Sequence, residues 1–255
     1  DLFSAMESAP TTAATDATSS TSAGNSLDVG NSLGTTYATD ALDTQTVSSD
    51  ADGALCLPEL DTVQSVPHTY HTVRTVDELR AMVAEISAAE AFCFDIETSG
   101  LDVFGSRIVG MSFAVRDHEA WYVPFDAAGD ERRTTESAYA DVLRPLFADA
   151  TKAKVGQNMK FDIMVLRRMG IELRGAKYDT MLLHYILDAE ARHNLNFLAE
   201  RYLSYRPIAI ETLIGKGAKQ LTMDMVGVER VAEYAAEDAD VTLRLKHILI
   251  KEVER

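Results

Sequence analysis

Basic residues are missing from the start of this chain: no Lys or Arg precedes Arg74, while ten Asp and Glu residues fall in the same stretch. Ser and Thr supply 21 of the first 66 residues. Runs such as TTAATDATSSTSAGNS show neither helical nor strand periodicity, and uncompensated charge with little hydrophobicity cannot offset the entropy of ordering. Residues 1–66 are therefore expected to be a disordered, acidic, low-complexity tail or linker, with the folded domain at 67–255. Cysteine is scarce as well. Cys56 and Cys93 are the only two, and neither stands in a C-x-x-C or Cys/His spacing, which excludes a disulfide framework and a structural zinc site. No stretch approaches the roughly 18 to 20 apolar residues of a membrane span, and no basic segment leads into an apolar one at the N-terminus. A soluble, cytoplasmic chain without membrane contact is expected. The first residue is Asp rather than Met, which fits a segment of a longer chain.

What is present is a core. Hydrophobic residues make up 46% of 255 positions, enough to fill one large domain or two small ones. A net charge of −16 argues at first against a polyanionic partner. Ten of those charges lie before Arg74, however, so the globular part is only mildly acidic. Residues 152–177 carry seven Lys and Arg against Asp162 and Glu172, a candidate phosphate-steering face, and Lys216 and Lys219 form a second on a glycine-flanked loop.

The pattern of elements is mixed. Thr75-Val-Asp-Glu78 is a capping box opening a helix with Leu79, Met82, Val83 and Ile86 on one face. Strands are expected at 91–97, 107–116 and 119–125, the last two joined by a tight turn at Asp117-His118 into an antiparallel meander. A helix from Thr135 to Ala148, a short strand at 153–157 and a helix stopped by Gly170 follow. After that the chain reads as helical, with Asp179 and Asn194 as caps and a long helix from Val228 to Val253. This is an α/β arrangement with one mixed sheet flanked by helices, and it has no internal repeat.

Three acidic points carry the chemistry. On the strand AFCFDIE, Asp95 and Glu97 stand at i and i+2 and project from one face, opposite Phe94 and Ile96. Acidic pairs at strand ends are usually just solvated. This pair ends an apolar strand before Thr98-Ser99-Gly100, at the carboxyl edge where α/β proteins place ligands, and two buried charges there call for a cation. Asp162 sits in the first turn of a helix, where complementing the helix dipole is the ordinary role. In EYAAEDADVT, Tyr234 and Asp238 are one turn apart on one helix face, while Glu237 and Asp240 point elsewhere. His184, His193 and His247 have no ligand spacing and are expected as core or surface residues.

Taken together, FDIETSGLD, NMKFD 67 residues on and Y-x-x-x-D a further 76 on resemble the tyrosine subtype of the DEDD class of 3′-5′ exonucleases. KVGQNMKFD, GIELRG with YDTML, RHNLNFLAERYL, GKGAKQLT and YAAEDADVT resemble the proofreading domain of bacterial DNA polymerase I, from about Thr69 to the C-terminus. The resemblance implies a ribonuclease H-like fold and a two-metal phosphodiesterase. Asp95, Glu97 and Asp238 would hold a first Mg²⁺ or Mn²⁺, Asp95 with substrate phosphate the second, and Asp162 would act through metal-bound water. Tyr234 would orient the attacking water, since a phenol is a poor base near neutrality. Leu101, Gln157, Asn158, Phe161 and Arg192 would contact the last nucleotides. Phe161 stands where relatives often have Tyr, and Ile210 where relatives can have an aromatic, so the first subsite keeps stacking without a hydroxyl and the second is weaker or differently shaped. The implied substrate is DNA at single-stranded or frayed 3′ ends, taken by a monomer whose parent chain carries a polymerase domain in cis beyond Arg255. Two other readings share these motifs: an inert scaffold or single-strand-binding domain of a polymerase, and an RNA 3′-end trimming enzyme of the same class.

Overall fold

The computed structural model describes residues 59–127 and 129–255. Most of the expected tail, with Cys56, lies outside the described residues. Its last part, residues 59–66, is docked rather than free: Asp61 bridges to the Tyr205 strand position, donating to the Ser204 carbonyl at 2.9 Å and accepting from the Arg206 N–H at 2.7 Å. Val63 is buried and Val66 packs beside Tyr205 and Leu198. The expected boundary at residue 67 thus falls within a segment held by backbone pairing, which leaves no compositional trace.

Six strands form one mixed sheet in the order β1-β4-β3-β2-β5-β6. They are β1 Thr69–Thr72, β2 Ala91–Thr98, β3 Ile108–Arg116, β4 Glu119–Pro124, β5 Ala153–Gly156 and β6 Lys177–Asp179. β2, β3 and β4 make the predicted antiparallel meander, and β1–β4, β2–β5 and β5–β6 run parallel. The edge strands β1 and β6 carry no predicted signal, because three or four residues cannot show a period; pairing to β4 and β5 recruits them. The helices are α1 Val76–Ala88, α2 Gly129–Ala148, α3 Lys160–Arg168, α4 Thr180–Leu187, α5 Leu195–Leu203, α6 Ile210–Ile214 and α7 Val228–Val253. Thr75 caps α1 with the full capping box. α2 starts six residues before the expected Thr135, since its first turns, GDERRT, have no apolar face to announce them.

Alternation along β2 divides the core into two layers. Phe92, Phe94 and Ile96 join Phe113, Leu143, Phe147 and Leu166 under α1, α2 and α3, with the Phe94 and Phe147 rings edge-on at 5.0 Å. On the other face Cys93, Ala114, Ala120 and Val155 meet Ala236, Ala239 and Leu243 of α7. Alanines on α7 let the helix lie close against the sheet. That close approach brings Asp238 to the carboxylates of β2.

α7 is tethered by two buried acids. Glu237 accepts the Tyr205 hydroxyl at 2.6 Å and the Ile208 N–H at 2.7 Å. Asp240 accepts the Tyr70 hydroxyl at 3.0 Å and the N–H of His118 at 2.7 Å, where the β3–β4 turn is left-handed. Neither residue is the ordinary solvated polar group that the helix sequence suggests; their partners lie far away in the chain.

Candidate active site

Asp95 and Glu97 share the α7 side of β2 with Cys93. Opposite Glu97 in the register is Gly110, where a Cβ would sit 2.2 Å from the Tyr122 hydroxyl, so only glycine lets that ring cross beneath the site. One ligand oxygen from each of Asp95, Glu97 and Asp238 lies within 4.8 Å of the other two. Like charges at about 5 Å repel by roughly 3 kcal/mol even at an effective dielectric of about 20. The titration of the group reflects this. Burial pushes Asp95 up to about 6, moderated by the Ile96 N–H. Burial, then Asp95, Asp238 and Asp162 push Glu97 well above the usual carboxylate range. Asp238 is raised by burial, Asp95 and Glu237, and held back by its hydrogen bond with the Tyr234 hydroxyl.

Asp162 is 5% exposed and stands in the first turn of α3, outside the three-oxygen cluster but in the same cleft. Burial and Asp95 raise it, and the Ile96 N–H lies against its carboxylate as well as against that of Asp95. Burial and the carboxylates of Asp238, Glu97 and Asp95 raise the Tyr234 phenol above its already high value. It therefore keeps its proton. Four carboxylates that disfavour one another's ionisation, all offering oxygen, are the donor set of a hard divalent cation. The residues fit such a group.

The cleft above the acids, about 750 Å³, is lined by Leu101, Gln157, Asn158 and Phe161 on one side and by Ile210, Ile214 and Leu221 on another. The structure thus gathers nine of the ten expected site residues. Arg192 is the exception: it is exposed between α4 and α5 and does not line the cleft. The Gln157 carboxamide is engaged within the protein, donating to the His193 carbonyl at 2.7 Å and accepting from the Thr180 hydroxyl. His193 Nδ1 lies 2.7 Å from Nδ1 of the buried His184, and His247 pairs with Asp117 at 3.4 Å.

Sequence reasoning missed two features. Asp179, expected only as the cap of α4, also accepts the N–H groups of Asn158 and Met159. It thereby holds Asn158 in a left-handed conformation (φ 56°) at the entry to α3. The only sequence signal was the aspartate itself. The basic run at 152–177 is also different from expectation. Lys154 is fully buried and donates to the Asp149 and Lys152 carbonyls, Lys152 donates to Ala89, and Arg174 pairs with Glu172. Much of that charge is spent on backbone carbonyls around β5, so the run is not a continuous phosphate-binding face. Lys216 and Lys219 are exposed beside Gln220 of the cleft wall.

Fold and site together define a mixed-sheet α/β domain with a converging carboxylate centre at the end of its central strand. The family of 3′-5′ exonuclease domains matches residues 70–254. This chain belongs to that family. DNA polymerase I of Pseudomonas aeruginosa is 45% identical over 179 residues, covering 68% of this chain and 20% of that protein. The enzyme of Rhizobium leguminosarum is 36% identical over 200 residues, covering 71% and 20%. The chain spans about a fifth of the length of these relatives. Among solved structures, the RNase D of Trypanosoma brucei superposes with a TM-score of 0.60 at 15% identity, covering 72% of this chain and 65% of that one. Brucella melitensis NrnC gives 0.52 at 20% identity, covering 74% and 83%. These likenesses establish the ribonuclease H-like exonuclease fold.

Proposed function

We propose that this domain hydrolyses the 3′-terminal phosphodiester of DNA, releasing nucleoside 5′-monophosphates, with two Mg²⁺ or Mn²⁺ ions. The observation that carries the proposal is the convergence of Asp95, Glu97 and Asp238 within 4.8 Å, with Tyr234 one turn before Asp238. Asp95, Glu97 and Asp238 would hold one cation and Asp95 would share the second with the substrate, while Asp162, in the same cleft, would act through metal-bound water. Bound there, divalent ions lower the pKa of the attacking water and stabilise charge on the leaving 3′ oxygen. In the reaction a water oxygen bonds to phosphorus and gives up a proton to solvent, the P–O3′ bond breaks, and the 3′ oxygen takes up a proton from solvent. Tyr234 keeps its proton on Asp238 and offers its oxygen to align the water, an orienting role rather than a basic one.

Leu101 and Phe161 line the cleft where terminal bases would stack, and Asn158 presents a polar group beside them. Arg192 would have to reach in from the α4–α5 turn. A cleft of this size admits the scissile phosphate only when the end is unpaired, so single strands and mismatched ends are the preferred substrates, since unpairing costs a few kcal/mol. The domain is proposed to act as a monomer, in the cytoplasm, with the chain before residue 59 as linker and a polymerase domain in cis in the parent chain. Among the described residues no helix is long and apolar enough to cross a membrane. The presence of all four carboxylates with the tyrosine favours catalysis over an inert scaffold.

The test compares initial rates on 3′-labelled single-stranded, mismatched-end and matched DNA, with single-stranded RNA alongside, in Mg²⁺ and in chelator. Monophosphate release in the order single strand, mismatch, match, abolished by chelator, is expected. Equal rates on single strand and matched duplex would overturn the substrate assignment, and faster turnover of RNA would favour the RNA-trimming reading.

A further inference from the structure

We propose that Phe104 is a base-stacking subsite for single-stranded nucleic acid outside the hydrolytic cleft, engaging a nucleotide upstream of those that Leu101 and Phe161 would hold. The proposal rests on the exonuclease reading above and extends it to a residue that the sequence motifs do not include.

Leu101 and Phe104 are the two most exposed large hydrophobic side chains among the described residues, 91% and 87% exposed. Leaving a phenylalanine ring in water forgoes about 2 kcal/mol of burial. The backbone that carries the ring is fastened at several points. Ser99 donates its N–H to the Arg107 carbonyl at 2.9 Å, and its hydroxyl accepts the Arg107 N–H at 2.9 Å, closing the base of the loop. Asp102 turns the tip: its carboxylate accepts the Phe104 N–H at 3.0 Å and its carbonyl accepts the Ser106 N–H at 2.8 Å. Val103 anchors the loop in the main core. From α3, the Arg168 guanidinium donates to the carbonyls of Val103 and Ser106, both at 2.6 Å. The aromatic ring is therefore held out by a fastened loop, so little conformational entropy remains to be lost on binding.

Position and charge select the occupant. Leu101 lines the hydrolytic cleft, and three residues of chain place the Phe104 Cα at most about 10 Å from the Cα of Leu101. That is roughly three base steps of a stacked strand. Arg168, exposed beneath the loop, meets the carbonyl oxygens through one guanidinium nitrogen, Nη1, and pairs with no carboxylate among the described residues, so its charge stays beside the ring, unlike that of the buried Lys154. An outward aromatic flanked by cationic charge is the combination that takes a base on its face and a phosphate beside it, with little regard to sequence.

The experiment measures KM for a single-stranded dinucleotide and an octanucleotide with wild type, Phe104→Ala and Phe104→Trp. The subsite model expects the KM advantage of the octanucleotide over the dinucleotide to shrink at least fivefold in Phe104→Ala and to return in Phe104→Trp, with kcat unchanged. An unaltered advantage in Phe104→Ala overturns it, and Phe104→Ala weakening instead the association with a polymerase domain supplied in trans would assign the ring to a protein contact. Equilibrium binding of a labelled octanucleotide to the same variants separates the two levels of inference. Loss of binding in Phe104→Ala supports the subsite even if wild type hydrolyses nothing, whereas absence of hydrolysis by wild type defeats the exonuclease reading alone.

Discussion

The carboxylate of Asp179 accepts the backbone N–H groups of Asn158 and Met159 at 3.0 and 2.9 Å, and the same group caps α4 through Met181 and Leu182. One side chain thus fixes the start of two helices, one of which carries Asp162 in its first turn. Non-glycine residues in the left-handed region are disfavoured by about 1–2 kcal/mol, so the Asn158 turn depends on that grip. Asp179→Ala removes a helix cap and leaves two N–H groups unsatisfied, and should lower stability by about 2–4 kcal/mol together with a reduced hydrolysis rate. Asp179→Asn keeps the bonds to Oδ1 but turns a donor toward Met159, and should lie between. Denaturant unfolding of the two variants checks this; wild-type stability in Asp179→Ala would refute the clasp.

Tyr234→Phe removes one hydroxyl and nothing else. Its hydrogen bond to Asp238 is lost, the carboxylates stay, and turnover should fall about tenfold with the metal dependence of the rate retained. Asp95→Ala and Asp238→Ala each delete a member of the three-oxygen cluster and should lower the rate by several orders of magnitude. Metal titrations of activity distinguish the cases: a Tyr234→Phe enzyme with weakened metal response but normal turnover at saturation would make the phenol a support for Asp238 only.

The carboxylate cluster makes stability depend on pH in a definite direction. Asp95 moves from 3.8 up to about 6 on folding, and Glu97, Asp162 and Asp238 shift the same way. A raised carboxyl group binds its proton more tightly in the folded state. Metal-free stability is therefore fully supported below the unfolded value near 4 and declines as pH rises through 6 and beyond. A divalent cation offsets the repulsion that appears in that window and competes with protons below it. Thermal unfolding with and without Mg²⁺ should show a larger gain in Tm at pH 7.5 than at pH 5, by mass action on the folded state. An equal gain at both pH values would mean that the cation binds elsewhere.

Much of this arrangement was legible in the sequence, for identifiable reasons. β2 announces itself because its apolar residues on one face alternate with two acids on the other, and α7 because Tyr234 and Asp238 repeat at one turn within a long apolar period. Both signals are local. β1 and β6 were invisible because short edge strands are defined by their partners, and Lys154 was misjudged because composition counts a charge without showing the carbonyls that bury it. The docking of Val63 and Asp61 beside Tyr205 was hidden in the same way. Gln157, which the resemblance implies as a substrate contact, lines the cleft with its carboxamide also engaged by Thr180 and His193, partners that no local motif announces.

Glu237 gives the sharpest separation of structural from catalytic acids, since it adjoins Asp238 in the chain yet points along a different face of α7. Its two oxygens are occupied by the Tyr205 hydroxyl and the Ile208 N–H, so the 205–208 segment is latched to the helix at a fully buried position. Burial raises its pKa while those two donors hold it down. Tyr205→Phe deletes one donor and leaves a buried carboxylate oxygen unsatisfied, a change that should lower stability by about 1–3 kcal/mol. The aromatic packing with Val241 and Leu245 is retained, so the variant should fold. Because neither Tyr205 nor Glu237 lines the cleft, kcat and the Mg²⁺ concentration for half-maximal rate should stay at wild-type values below the melting transition. Asp238→Asn, one residue away, should do the reverse: relieve the repulsion with Asp95 and Glu97, raise metal-free stability, and abolish hydrolysis. The paired measurement is unfolding free energy against initial rate for the two variants. A Tyr205→Phe enzyme with impaired metal activation, or an Asp238→Asn enzyme less stable than wild type without metal, would show that the two acids act as one unit after all.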